Sequence, residues 1–83
     1  GKYGGSYHLV KNSAGNNIFS FLRRKGDSQI LVIINVSNKP VDFTLGDEAA
    51  LGDWMDVFSG KMIKIVPREK IHLEPWKYML LKK

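Results

Sequence analysis

The chain has no cysteine among its 83 residues. Disulfide staples, thiolate zinc sites and cysteine nucleophiles are therefore excluded, while the redox compartment stays open. No apolar run approaches the roughly 20 residues that span a bilayer, so no membrane partner is expected. Gly1 to Ser6 lacks the apolar core of a signal peptide. In a fragment of a longer chain that leaves the export and localisation of the parent open. Histidine is scarce, with His8 and His72 far apart in the sequence. A zinc site would need both, plus carboxylates converging on one point, and surface or half-buried strand histidines are the simpler reading. No metal and no cofactor is expected. A concentrated block of positive charge is also missing. The net charge is +5, but Lys and Arg are scattered and the tightest cluster is Arg23-Arg24-Lys25. Between Lys39 and Lys61 there is no basic residue, while Asp42, Asp47, Glu48, Asp53 and Asp56 fall there. That distribution describes a solvated surface, and no nucleic-acid partner is expected.

What the chain does have is the content of one small globular domain, spanning 1–83. Hydrophobic residues make up 43% and charged residues 25%, ordinary values for such a domain. A chain of this length buries only about 60% of the surface it exposes when unfolded, so its core is modest.

Apolar residues come in short runs separated by turn signals. Tyr7-His8-Leu9-Val10 reads as a strand, ended by Asn12-Ser13-Ala14-Gly15-Asn16-Asn17. Ile18 to Arg24 is a second strand, with Phe19, Phe21 and Arg23 on one face and Ile18, Ser20 and Leu22 on the other. Lys25 to Ser28 turns the chain into Ile30-Leu31-Val32-Ile33-Ile34. An uninterrupted apolar run of this length suits a central strand covered on both faces and is too short for a helix. After the turn Asn35 to Pro40, the alternation of Val41, Phe43 and Leu45 with Asp42 and Thr44 marks a strand with one wet face. Gly46 to Asp53 reads as a loop, with Glu48 to Leu51 the one place for a helical turn. Trp54 to Phe58 and Met62 to Val66 flank the hairpin signal Ser59-Gly60-Lys61. Lys70 to Leu73 and Lys77 to Leu81 close the chain around Glu74-Pro75-Trp76. Eight short strands with turns too short for crossover helices predict an all-β fold: an antiparallel Greek-key β-sandwich.

Catalytic chemistry finds little support in these residues. Asp53 with Asp56, or Asp47 with Glu48, are the nearest carboxylate pairs, but all sit in or beside a polar loop. Two-carboxylate catalysis needs a pair held across a cleft with one pKa raised. The serines show no nucleophile-elbow spacing. Gly4-Gly5 is followed by nothing that resembles a phosphate-cradling loop entering a helix. The aromatics are the open set. Trp76, Tyr78, Trp54, Tyr7 and Tyr3 could form a platform for sugar rings, or pack in the core and against a neighbouring domain. Trp76 follows Pro75 in a turn and is the better platform residue, whereas Trp54 begins a strand and is read as packing. Asn35 and Asp56 are read as turn residues whose side chains bond to nearby backbone.

The order of these phrases resembles the C-terminal domains of α-amylase-type enzymes (glycoside hydrolase family 13). Phe19-Ser20-Phe21-Leu22-Arg23-Arg24 followed by Ile30 to Ser37 is similar to an aromatic-rich strand ending in arginine, paired with one ending in Asn-x-Ser. Trp54 to Gly60 resembles the family's aspartate-containing hairpin that ends in Ser/Thr-Gly, and Ile71 to Leu81 its closing Leu-x-Pro-(aromatic or Gly) strand. Gly5-Ser6-Tyr7-His8-Leu9 is similar to the strand that opens such domains. The resemblance implies a fragment of a larger starch- or maltodextrin-active glycoside hydrolase. It implies that the catalytic aspartates and glutamate lie on a (β/α)8 barrel of the same parent chain, and that no catalytic residue is found here. The partner it implies is that barrel, with Trp76, Tyr78, Trp54 and Tyr7 as barrel-interface or α-glucan-stacking residues. An autonomous α-glucan-binding module and a basic nucleic-acid-binding β-barrel are the alternatives. The first reading expects an apolar patch on one face of the chain.

Overall fold

A computed structural model describes residues 6–83; Tyr3 and the Gly4-Gly5 pair lie outside the described residues. The chain forms eight strands: β1 (Ser6–Leu9), β2 (Ile18–Lys25), β3 (Ser28–Asn35), β4 (Val41–Phe43), β5 (Gly52–Asp56), β6 (Met62–Ile65), β7 (Ile71–Leu73) and β8 (Tyr78–Lys82). Six pair in the order β1-β2-β3-β8-β5-β6, and β4 pairs with β7 in a second sheet. Every pairing is antiparallel. The closing strand β8 returns between β3 and β5, while β7 crosses to the small sheet. That non-sequential return is the Greek-key element of an all-β sandwich. No helix among the described residues is long and apolar enough to cross a membrane.

The core lies between the two sheets. Ile18 and Leu22 of β2, Leu31 and Ile33 of β3, Leu81 of β8, Trp54 of β5 and Ile65 of β6 meet Val41 and Phe43 of β4 and Leu73 of β7. Strand alternation explains the selection, because every second residue of each strand faces inward. Ser20 shares the inward face of β2 and is buried with its hydroxyl donating to the Val10 carbonyl at 2.7 Å.

Several boundaries differ from the sequence reading, each for a local reason. β3 gains Ser28, Gln29 and Asn35, because its partner β2 extends the ladder past the apolar run. β4 stops at Phe43; Leu45 stays buried but contacts Asn12 through an isolated bridge. The segment after Gly46 contains one 3-10 turn, Glu48–Ala50, where Asp47 accepts the Ala49 N–H at 3.0 Å. β5 starts at Gly52, whose φ of +108° is open to glycine but strained for other residues. It ends at Asp56, not at Phe58: Asp56 Oδ1 accepts the amides of Phe58 (2.8 Å) and Ser59 (3.2 Å) and turns the chain.

Asn35 ties the two sheets together. It is fully buried at the end of β3. Its Nδ2 donates to the carbonyls of Lys39 (2.9 Å), Leu73 (2.9 Å) and, at longer range, Glu74 (3.2 Å). Its Oδ1 accepts the Ser37 N–H at 2.9 Å and the Ser37 hydroxyl at 2.7 Å. One amide thus joins the large sheet to β7 of the small one and closes the turn between β3 and β4.

Asn35→Ala should leave the buried Leu73 carbonyl and the half-buried Ser37 amide without their partner, at about 1–3 kcal/mol for a buried group left unsatisfied. The urea midpoint should fall by the equivalent of about 2–4 kcal/mol, a large share of the roughly 4–12 kcal/mol expected for a chain of this size. Asn35→Asp should be worse at neutral pH and partly recover on acidification, when the carboxyl regains a donor. A midpoint unchanged in either variant would remove Asn35 from this role.

Candidate interaction face

The central strand β3 is covered on one face only. Leu31 and Ile33 are wholly buried, whereas Ile30, Val32 and Ile34 on the other face are half-buried. The sequence predicts cover on both faces, and within this chain only the small sheet supplies it. The outer face of the large sheet is therefore an apolar surface with nothing packed on it.

Register shows how continuous that surface is. Leu9, Phe21, Val32 and Leu80 form one cross-strand row from β1 to β8. Phe19, Ile34 and Tyr78 form the next. Tyr7, Arg23, Ile30, Lys82, Met55 and Met62 form a third, reaching from one edge strand to the other. Aromatic rings pack against one another between these rows. Phe19 and Phe21 lie 5.4 Å apart, Tyr7 and Phe21 6.0 Å, and Phe58 meets Tyr78 at 5.7 Å in a T-shaped contact. These contacts leave Phe19 45%, Tyr78 55% and Tyr7 68% exposed. A contiguous apolar surface of this kind on a soluble domain marks an interaction site.

The four aromatic residues singled out by sequence separate accordingly. Tyr7 and Tyr78 lie on this face. Trp54 does not: it is wholly buried, with its Nε1–H donating to the Ala50 carbonyl at 3.0 Å and Lys83 Nζ 4.5 Å from the ring centroid. It belongs to the core and has no surface to offer a sugar or another domain. Trp76 is 64% exposed and stands third in a turn, Glu74-Pro75-Trp76-Lys77, closed by Lys77 N–H to the Glu74 carbonyl at 3.1 Å. Its φ of +61° is the left-handed conformation that this turn position normally reserves for glycine. An exposed indole is thus held at a strained backbone position.

Sequence reasoning missed Phe19, Phe21, Val32, Ile34 and Leu80 as interaction residues. Their signal was present in β2, where the inward face carries Ile18, Ser20 and Leu22 and the aromatics fall on the other side. Two phenylalanines in successive positions on one face of a strand are unusual for a face left to water.

The two histidines and their carboxylate partners lie elsewhere. Asp42 and His72 are direct cross-strand partners between β4 and β7. His72 Nδ1 is 2.7 Å from Asp42 Oδ1, and its Nε2 is 2.5 Å from Glu74 Oε2. Both carboxylates, Asp42 foremost, favour the imidazolium, which alone can donate from both nitrogens, and raise the His72 pKa above the usual value. His8 bonds Asp47 at 2.6 Å. The Ala49 N–H and then His8 hold the Asp47 carboxyl below the ordinary range. A shallow cleft of about 380 Å³ beside β1 contains this pair together with Tyr7, Leu22, Arg24 and Ala49. The two histidines are not brought together, and no group of three or more ligating side chains among the described residues converges on a metal position. Of the carboxylates weighed as an acid pair, Asp56 is committed to its turn and Asp53 stands on β5 opposite Lys64.

The His72 ring should titrate above about 6.5 in NMR-monitored pH series, and Asp42→Asn should lower that value more than Glu74→Gln does. Because the folded state binds this proton more tightly, its stabilising contribution is complete below the ordinary histidine pKa. It is lost as pH rises through the raised one. A ring that titrates at or below the ordinary value would show that the two carboxylates do not hold it.

A family model described as the C-terminal domain of maltogenic amylase matches residues 7–80, from β1 into β8. Among solved structures, a noncanonic maltogenic α-amylase, AmyB, from Thermotoga neapolitana matches 95% of this chain with a TM-score of 0.70 at 20% identity. At that identity the likeness is one of fold, and this chain spans 20% of that enzyme's length. Comparison with curated proteins returns no match. The family match covers nearly the whole chain and agrees with the phrases that resemble α-amylase-type C-terminal domains: the chain belongs to the family of maltogenic amylase C-terminal domains.

Proposed function

We propose that this chain is a non-catalytic accessory domain of an α-amylase-type glycoside hydrolase acting on starch or maltodextrins. Its task is to dock on and stabilise the catalytic (β/α)8 barrel of the same parent chain. One observation carries the reading: the outer face of the six-stranded sheet carries uncovered apolar rows that run from β1 to β8. A central strand written for two-sided burial implies a second layer, and in this reading the layer is the barrel. Burial of apolar surface stabilises by about 25 cal/mol per Å², so the docked domain and the barrel stabilise each other. The catalytic carboxylates belong to the barrel, and this domain contributes none.

Phe19→Asp combined with Tyr78→Asp tests the docking. Both side chains are exposed in the isolated chain, where such changes usually stay within about 0.5 kcal/mol. In the intact parent enzyme the same pair should lower the unfolding temperature and let a protease release this domain. Unaltered melting and digestion of the parent would end the docking reading.

The exposed, strained indole of Trp76 favours a second reading in which the domain also stacks α-glucan. Trp76→Gly removes ring and strain together. The isolated chain should gain about 1 kcal/mol, since a left-handed non-glycine residue costs 1–2 kcal/mol. On the second reading, NMR shifts seen on titration with maltoheptaose should disappear in that variant. Absence of any such shifts in the unaltered chain at millimolar sugar would leave docking as the sole role.

A further inference from the structure

The outer face of the large sheet is polarised along its strands. Phe19, Ile34 and Tyr78 occupy one end of the cross-strand rows. At the other end β2 brings Arg23 and Lys25 to the same face, and β8 brings Lys82, two residues beyond Leu80. Ile30 sits between Arg23 and Lys82 in register, and Arg23, Lys25, Ser28 and Ile30 line one depression of this surface. Among the described residues, no carboxylate lies within 4.0 Å of a Lys or Arg nitrogen; the ion pairs found there all involve histidine. Asp53 shares the outer face but stands across from Lys64, and Asp27 lies in the turn after Lys25. The cations are steadied from within the face only by the Arg23 guanidinium over the Tyr7 ring, 5.6 Å from its centroid.

Covering the apolar rows brings Arg23, Lys25 and Lys82 to the margin of the contact. A charge dehydrated there without a counter-charge is costly, whereas a matched one fixes the orientation of docking. Resting on the docking role proposed above, we infer that the barrel surface seated on this face carries carboxylates opposite Arg23, Lys25 and Lys82. The apolar end supplies adhesion and the basic end sets the register in which the two domains meet. The same surface docked in the reverse sense would place these three cations against apolar ground.

Zero-length carbodiimide cross-linking of the intact parent enzyme tests this, because it joins an amine only to a carboxylate in direct contact. Mass spectrometry should find Lys25 or Lys82 joined to Asp or Glu residues of the barrel. In parallel, an amine-acetylating reagent should modify Lys25 and Lys82 severalfold more slowly than Lys39, which is exposed in the turn before β4. Slow acetylation without any such cross-link would overturn the acidic complement while leaving the docking intact. Acetylation as fast as that of Lys39 would show the face to be open, and both the docking and its complement would fall.

Discussion

The one buried amide side chain of the core, that of Asn35, holds the two layers of the sandwich in place at one end. Asn35 stands where β3 leaves the large sheet, and its side chain is bonded on both sides to backbone, the buried Leu73 carbonyl among it. The small sheet has only two strands, three residues each, and no ladder joins it to the large one. Apolar contacts press the sheets together without specifying a lateral position. The bonds from Asn35 to Leu73 and Lys39 fix one end of the small sheet, and those between Lys11–Ser13 and Thr44–Gly46 fix the other, so that Phe43, Leu73 and Val41 meet Leu31, Ile33 and Trp54. A buried polar group of this kind is favourable only when every partner is satisfied, and among the described residues no buried side-chain polar atom lacks one.

With the inner face closed by that arrangement, the outer face becomes the informative surface. Rows of aliphatic and aromatic side chains cross the strands in register, and tilted ring contacts reduce but do not remove their exposure. Membership of the maltogenic amylase C-terminal domain family gives this surface a natural partner in the docking proposed above. The basic end then has a purpose beyond solubility, since charges at the rim of an apolar contact discriminate between orientations that apolar contacts alone tolerate.

Much of the fold was legible because period-two alternation is a local property. Ile18, Ser20 and Leu22 against Phe19, Phe21 and Arg23 follow from the pleat alone, and so does the wet face of Val41 to Phe43. Boundaries were less legible. Whether a strand stops at Asp56 or Phe58 turns on a carboxylate bonding two amides, and β3 is lengthened to Asn35 by pairing with Ile18, far away in sequence. The histidine–carboxylate contacts were not legible, because His72 and Asp42 meet only through the register of β4 on β7. Trp76 was visible as an exposed turn residue, but its left-handed backbone was not.

By itself the sequence determined the strand class, the two faces of each strand and the absence of cysteine chemistry. Those depend on residue type and on spacing within a strand. Its phrases also carried the family, because their order along the chain survives without coordinates. Tertiary structure alone decided which of two apolar faces the chain covers. It buried Trp54, left Phe19, Tyr7 and Tyr78 open, and gathered Arg23, Lys25 and Lys82 at one end of that surface. Strand alternation says that two sides differ, but only the packing of one sheet on another says which side is already filled.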